Sequence, residues 1–457
     1  MTKYIYLILG FIVLVLFDFY LKTNISGLNE GSESLSVLVL SVFIGCVLFA
    51  WKIISSSSLF VKRSTGFLVL FFAYFVLRII IDIGSLEQLK SYTVATSGGV
   101  IFFYSMGLLI SLLLNQLTLA RNSTSQRYLK IFTGGAFVYL IFSFTTMFYV
   151  FSELAMRLRD DLFLIADLDG TYQRAGNFLT ISFLVNTTVY MRVIALNQQC
   201  KNGIYRFLKY FIFLIYLSYT GLAVVVAQMI GSNNATVTIL GLSVVFLITL
   251  LLIMPKKIKS YLNHHELSIK KIILGRIGRR AVFLLVISIV ALFVLIMSIA
   301  NLLGFDLLST RLMGFGAGES SSINSRLDLL GNFIIQFSDS PFLGNMNVAV
   351  ETTGNSGSYV HSFMLSSLTH LGVLGSTLLL VYLGLAYKEI FSRAGKITLS
   401  NFLLPDNVYA LYSLITISFL LLIATAATFI TWSVAWFAMG LFFVAIRFEK
   451  NKRFNHE

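Results

Sequence analysis

Two cysteines and three prolines in 457 residues leave little room for disulfide staples or proline-rich linkers. Cys46 lies inside an apolar run and Cys200 beside a basic connector, so no disulfide ties the outer loops together. Histidine is also scarce. No His/Cys cluster has the spacing of a metal site, and the adjacent His264 and His265 stand among lysines, as in a solvated basic connector. Charge is the most informative shortage: 12% of residues are charged, where a soluble domain carries about 25%, while 57% are hydrophobic and the mean hydropathy is +0.86. That balance excludes a soluble domain and defines an all-α integral membrane protein. No fixed-period repeat and no low-complexity tract interrupts it.

A membrane span takes roughly 20 mostly apolar residues, and the apolar runs give about twelve transmembrane helices on that measure. They begin near Tyr4, Leu35, Thr65, Thr96, Ile131, Asn177, Phe207, Ala235, Ala281, Ser362, Val408 and Thr431. The first run is followed by no small-residue cleavage site and reads as a retained helix. Lysine and arginine gather in alternate connectors: Lys52, Lys62 and Arg63; Arg121, Arg127 and Lys130; Lys201, Arg206 and Lys209; Lys256 through Arg280; Lys388, Arg393 and Lys396; and the tail from Lys450. By the positive-inside rule these connectors and both termini are cytoplasmic. The net charge of +14 is then an inner-leaflet signal, with membrane lipid as its partner and no nucleic acid implied. Residues 1–457 read as a single polytopic domain with two larger outward loops, Ser152–Gly176 and Asn301–Val360, the second carrying short interfacial helices such as the apolar segment from Leu327 to Phe337.

The stretch from Arg311 to Thr377 differs from the rest in being long, polar and rich in glycine and serine. It holds Arg326, then Pro341-Phe342-Leu343-Gly344, a glycine-rich arm, and His361-Ser362 at the mouth of the next span, followed by Gly372 and Gly375. In that order, H-S-x9-G-x-x-G after an arginine and a P-x-L-G turn resembles the signature of the O-antigen polymerase and O-antigen ligase superfamily, the Wzy-type polytopic membrane glycosyltransferases. Arg174-Ala175-Gly176-Asn177-Phe178 resembles the arginine motif that closes an earlier outer loop in the same proteins. The resemblance spans Arg174 to Thr377. Two departures stand out: Gly231-Ser232-Asn233-Asn234 lacks the arginine of the family's Ser-x-Ser-Arg turn, and Gly375 is followed by Ser376-Thr377 where ligase-like members continue Gly-Thr-Gly.

The resemblance implies transfer of a growing glycan from undecaprenyl pyrophosphate to a hydroxyl of the next lipid-linked repeat unit, on the periplasmic face of the bacterial inner membrane. It implies no cofactor, and a chain-length regulator protein as a candidate partner. A departing pyrophosphate needs cations where charge develops, and arginine's planar fork suits phosphate oxygens. Arg174 and Arg326 are the main candidates for that role; Arg157, Arg159 and Arg78 are further candidates. His361 is the general base that the resemblance implies, an unperturbed histidine pKa of about 6.5 being suited to the task. An interfacial cap of the following helix is the other reading of His361-Ser362. Glu153, Arg157 and Asp161 fall at i, i+4 and i+8, which also fits a structural salt-bridge ladder. Arg78 with Asp82 fits either an ion pair or a donor pocket. Asp167-Leu168-Asp169 spells the D-x-D of metal-dependent transferases, but so short a pattern fits a solvated loop equally well. His370, nine residues beyond His361, falls on the opposite face of a continuous helix and reads as an interhelical hydrogen-bonder. The ligase, a protein O-oligosaccharyltransferase and a twelve-helix flippase are the alternative activities.

The lysine and arginine count generates a topology prediction. A reporter fused after Ser320 should be periplasmic and one after Lys259 cytoplasmic; a cytoplasmic Ser320 would overturn the outward site.

Overall fold

The structure, a computed structural model, describes residues 2–25, 63–83, 90–119, 125–157, 172–197, 203–253, 331–346, 360, 362–395, 405–424, 429 and 432–445. Among these it is all helical: α1 (Thr2–Ile25), α2 (Arg63–Ile83), α3 (Lys90–Leu119), α4 (Ser125–Arg157), α5 (Tyr172–Asn197), α6 (Gly203–Met229), α7 (Asn233–Ile253), α8 (331–339), α9 (Phe363–Gly395), α10 (Pro405–Ile423) and α11 (Ser433–Ala445). Ten of the expected apolar runs coincide with helices; those near Leu35 and Ala281 lie outside the described residues. Six helices are long and apolar enough to cross a membrane, and three shorter apolar helices accompany them. The protein is therefore membrane-embedded. Its outer faces agree: Val69, Leu70, Leu77, Ile80 and Ile81 of α2 are all at least half exposed, an arrangement suited to lipid and costly in water.

The helices fall into two compact units. The first holds α1, α4, α5, α6, α7 and the start of α10. At its centre is α5, which touches α1, α4, α6 and α7 and is buried from Ala175 to Ile194 except at Asn177. A helix buried on all sides is usually apolar throughout, yet α5 carries Thr180, Ser182, Asn186, Thr187, Thr188 and Arg192. Local bonds explain part of this: Thr180, Thr187 and Thr188 donate back to the carbonyls of Gly176, Phe183 and Leu184. Arg192 lays its guanidinium 4.1 Å from the Tyr409 ring centroid.

The remaining polar groups of α5 belong to a network around two charges that the apolar reading of α1 passed over. Lys22 Nζ donates to Asp18 Oδ2 at 2.6 Å, Ser143 O at 2.5 Å, Ser143 Oγ at 2.6 Å and Thr146 Oγ1 at 3.0 Å. Asp18 Oδ1 accepts from Ser182 Oγ at 2.5 Å, Ser182 meets the Tyr219 hydroxyl at 2.8 Å, and Asn186 Nδ2 donates to Ser143 Oγ at 2.8 Å. Both charged side chains are 1% exposed, so α1, α4, α5 and α6 are joined through one desolvated ion pair.

In the second unit α3 and α11 cross backbone to backbone. A Cβ at Gly107 would lie 2.0 Å from Phe437 O, and one at Gly440 would lie 2.0 Å from Tyr104 O, so only glycine permits the crossing. Aromatic rings fill the space beside it, with Phe71, Phe363 and Phe429 all packed on Trp436. The longest helix of this unit, α9, is interrupted at Gly372.

Removing one partner of a buried pair strands the other charge. Lys22→Met or Asp18→Asn alone should cost roughly 3–5 kcal/mol, while Lys22→Met with Asp18→Leu should recover most of that loss. Thermal unfolding in detergent of the two single variants and the double variant checks it; a double variant worse than either single would overturn the pairing argument.

Candidate functional site

Gly372 has φ 64° and ψ −173°, a backbone region that is essentially reserved for glycine. A helix broken there exposes N–H groups on one side and carbonyls on the other, and in a bilayer each unpaired group costs several kcal/mol. The P-F-L-G segment supplies the partners. Val373 N donates to Pro341 O at 2.9 Å and Leu374 N to Phe342 O at 3.2 Å, which caps the second half of α9. Asn345 N donates to Thr369 O at 2.9 Å and closes the first half. The turn is itself tight, with Gly344 at φ 73° and its N–H on Ser340 O at 2.8 Å. A Cβ at Gly344 would lie 2.4 Å from Gly372 N, and one at Gly372 would lie 2.4 Å from Phe342 O. Two glycines from separate motifs therefore make one contact. Gly372, a glycine of the H-S-x9-G-x-x-G pattern, is the break itself.

One face of α2 holds this assembly. The Tyr74 hydroxyl donates towards Leu343 O at 2.7 Å and Leu371 O at 3.0 Å, one on the turn and one on the first half of α9. Its ring occupies the space that a side chain at Gly375 would need. Two turns on, Asp82 Oδ2 accepts from Met346 N at 2.8 Å, while Asp82 Oδ1 pairs with Arg78 Nη2. Arg78 and Asp82 are 6% and 7% exposed. Arg78 forms an ion pair with Asp82, and that pair holds the carboxylate that receives the end of the turn. At the other end of α2, Ser64 Oγ bonds Glu389 at 3.0 Å, so α2 and α9 run antiparallel. Along α2, Tyr74 stands about 15 Å and Asp82 about 27 Å from Ser64, so the turn lies toward the C-terminal end of α2.

Ser362 opens α9. Its carbonyl accepts from Ser366 N at 2.8 Å and its hydroxyl lies 3.5 Å from Leu365 N, the geometry of an N-cap. The first half of α9 is also held from its other side: Ser366 Oγ accepts from Phe429 N at 2.6 Å. His370 bonds back along its own helix to Ser366 O at 2.5 Å through Nδ1, and its ring packs beside Phe429. His361, Arg326, Arg159, Asp161, Asp167 and Asp169 lie outside the described residues, as does the side chain of Arg157. Of the segment expected at the interface, 331–339 is the helix α8, with Ile334 and Ile335 exposed and Gln336 buried.

Arg174 belongs to the first unit, in the first turn of α5, and is exposed. Its guanidinium stands 5.4 Å from the ring centroid of Phe178, one helical turn away, which gives the spacing of R-A-G-N-F a physical reason. Gly176 within that motif admits the α6–α7 turn, since a Cβ there would lie 2.1 Å from Ser232 Oγ. The turn is compact because Gly231 at φ 71° ends α6 with bonds Ser232 N→Ala227 O and Gly231 N→Gln228 O, and Ser232 then caps α7 through Ala235 N. The Gly-Ser-Asn-Asn departure thus forms a short helix connection packed on the arginine motif. Among the described residues no group of three or more His, Cys, Asp or Glu side chains could hold a metal. No protein-family model matches this chain, and no curated protein matches it.

The Gly372 geometry makes a discriminating prediction. Gly372→Ala should lower the unfolding midpoint and activity together, because the conformation alone costs about 1–3 kcal/mol and the new Cβ meets backbone. Gly384→Ala, in the same helix with nothing within 4 Å of the added carbon, should be neutral or stabilising by up to about 1 kcal/mol. Equal effects at both positions would show that the break is not maintained.

Proposed function

We propose that this protein is a membrane glycosyltransferase of the O-antigen polymerase type, with about twelve spans, both termini cytoplasmic and its site on the periplasmic face of the bacterial inner membrane. The observation that carries the reading is the seating of Pro341–Gly344 in the break at Gly372. Two short patterns that resemble one family's signature, separated along the chain, are halves of a single interlocked element. Patterns matched by accident have no reason to share their backbone hydrogen bonds.

In this reading Arg326 and Arg174 bind the pyrophosphate of an undecaprenyl-linked glycan, and Arg157 and Arg159 add positive potential on the first outer loop. The hydroxyl oxygen of the incoming lipid-linked unit attacks the anomeric carbon of the donor. As the new C–O bond forms, its proton passes to His361 and the bond from the anomeric carbon to the phosphate oxygen breaks. Undecaprenyl pyrophosphate departs with the electron pair, its charge met by arginine. His361 directly precedes the Ser362 cap, whose N–H donates to Val360 O at 2.8 Å. Ligase-like continuation after Gly375 is absent: Ser376 is buried and its hydroxyl bonds Ser367 across the break at 3.3 Å. A lipid-linked glycan transporter is a second reading, favoured by the interrupted α9 and by the ion pair inside the first unit.

A null strain separates these readings by its surface glycan. A single repeat unit on each lipid A core supports the polymerase, and none indicates a ligase or transporter. With purified enzyme and lipid-linked units, His361→Ala should lower turnover by roughly 10²- to 10⁴-fold while the protein still accumulates. Arg326→Lys should fall between wild type and Arg326→Ala, because a lysine supplies the charge without the fork. Chelator should leave the rate unchanged; loss restored by magnesium would bring Asp167 and Asp169 forward as ligands.

A further inference from the structure

The Asp82 carboxylate at the end of α2 is shared between two donors that cannot both be fully served. Arg78 offers a fork on one edge of its guanidinium, where Nε–H and an Nη2–H lie side by side, the pair that a carboxylate fills with both oxygens. Asp82 fills half of it: Oδ1 takes Nη2, while Oδ2 is turned to the amide of Met346 at 2.8 Å. Arg78 Nε is left buried with no hydrogen bond among the described residues. An N–H of a charged group stranded away from water is a costly defect. Here it follows directly from the contact with Met346.

The strap that ends at Met346 bridges two helices. Asn345 N donates to Thr369 O at 2.9 Å on the first half of α9, and the next amide, that of Met346, is held by α2. Asn345 Nδ2 also reaches back across the Pro341–Gly344 turn to Asp339 Oδ2 at 3.3 Å. Met346 itself is buried. Rotation of the Asp82 carboxylate about its Cβ–Cγ bond brings Oδ2 to Nε, completes the fork of Arg78 and releases Met346. Each arrangement leaves one donor without this oxygen: Nε in the first, the Met346 amide in the second, which water satisfies once the strap moves out. Two states that exchange one hydrogen bond for another lie close in free energy, as a bistable element requires.

We infer that Asp82 is a two-position latch on the Asn345–Met346 strap: engaged, it holds Met346 against α2; released, it closes on both N–H groups of the Arg78 fork and lets the strap leave. Arg78 competes for the latch as well as supporting it. The latch stands apart from the polymerase reading, because it uses only contacts among α2, the strap and α9. Its test follows thiol reactivity in the full chain in detergent, with Cys46 and Cys200 replaced by serine and Met346→Cys introduced, a change that keeps the backbone amide. The rate of reaction with N-ethylmaleimide reports release of the strap. The thiol at 346 should react faster than one at Leu379→Cys, which is buried in the second half of α9. Arg78→Lys keeps one bond to Asp82 but cannot complete the fork, so it should slow labelling at 346 about tenfold, the size expected for one hydrogen bond to a charged group. Asp82→Asn, whose single acceptor oxygen goes to the guanidinium, should speed it. Labelling at 379 should change in neither. A purely structural ion pair predicts the opposite sign for Arg78→Lys, since a weaker pair would loosen the strap. Faster or unchanged labelling at 346 in Arg78→Lys overturns the inference, as does a parallel change at 379 or a thiol at 346 that reacts no faster than the one at 379.

Discussion

A backbone group left unpaired inside a bilayer has no water to turn to, and the second unit is arranged around one place where that problem arises. Breaking α9 at Gly372 strands the amides of Val373 and Leu374 and carbonyls at the end of the preceding half-helix. The Pro341–Gly344 turn and Asn345 answer both sets with backbone atoms, and Tyr74 adds a side-chain donor to the same carbonyl end. Such mutual satisfaction requires close approach, which is why glycine stands on both sides of the contact: any larger residue would place carbon within 2.4 Å of backbone. Proline at 341 fits for a complementary reason, since its carbonyl accepts while its missing N–H demands nothing.

Much of this was legible in the sequence and some was not, for identifiable reasons. Helix positions followed from apolar runs, because a bilayer filters for length and hydrophobicity. α5 was found as an apolar run, but its role as the polar centre of the first unit was not, since burial on every side leaves no amphipathic pattern to read. Gly372 could be picked out as a motif glycine, whereas its positive φ depends on a partner segment thirty positions away in the chain and has no local signal. Asp18 and Lys22 did carry a signal. Two opposite charges at i and i+4 within an apolar run are expensive unless partnered, and reading the run as a uniform span missed them. On α2, Tyr74, Arg78 and Asp82 lie at i, i+4 and i+8; the pair was read and the tyrosine was not, because a tyrosine in a span usually speaks only of packing or an interface.

The charged groups are handled in two ways, some paired with a carboxylate and one not, and that contrast bears on function. Lys22 and Asp18 are surrounded by oxygen donors and acceptors from two other helices, α4 and α5, and serve cohesion, with every proton of the ammonium provided for. Arg78 is tied to one carboxylate, and that carboxylate spends its other oxygen on the amide of Met346. Arg174 alone among these is exposed and is oriented by aromatic contact instead of by a carboxylate. A guanidinium neutralised by an acid offers little to an incoming anion; one held over a ring keeps its full charge.

That distinction also explains why the connection between α6 and α7 matters even though it carries no arginine. A cation at that turn would need its own side-chain support, and Gly231-Ser232-Asn233-Asn234 instead spends its polar groups on ending one helix and starting the next. The result is a turn slim enough to sit against Gly176, two residues from Arg174. At this end of α5 Arg174 is exposed, with its guanidinium held over Phe178. The buried ion pair then keeps α1 in register with α5, and Tyr20 at the end of α1 packs on Phe178, one turn from Arg174.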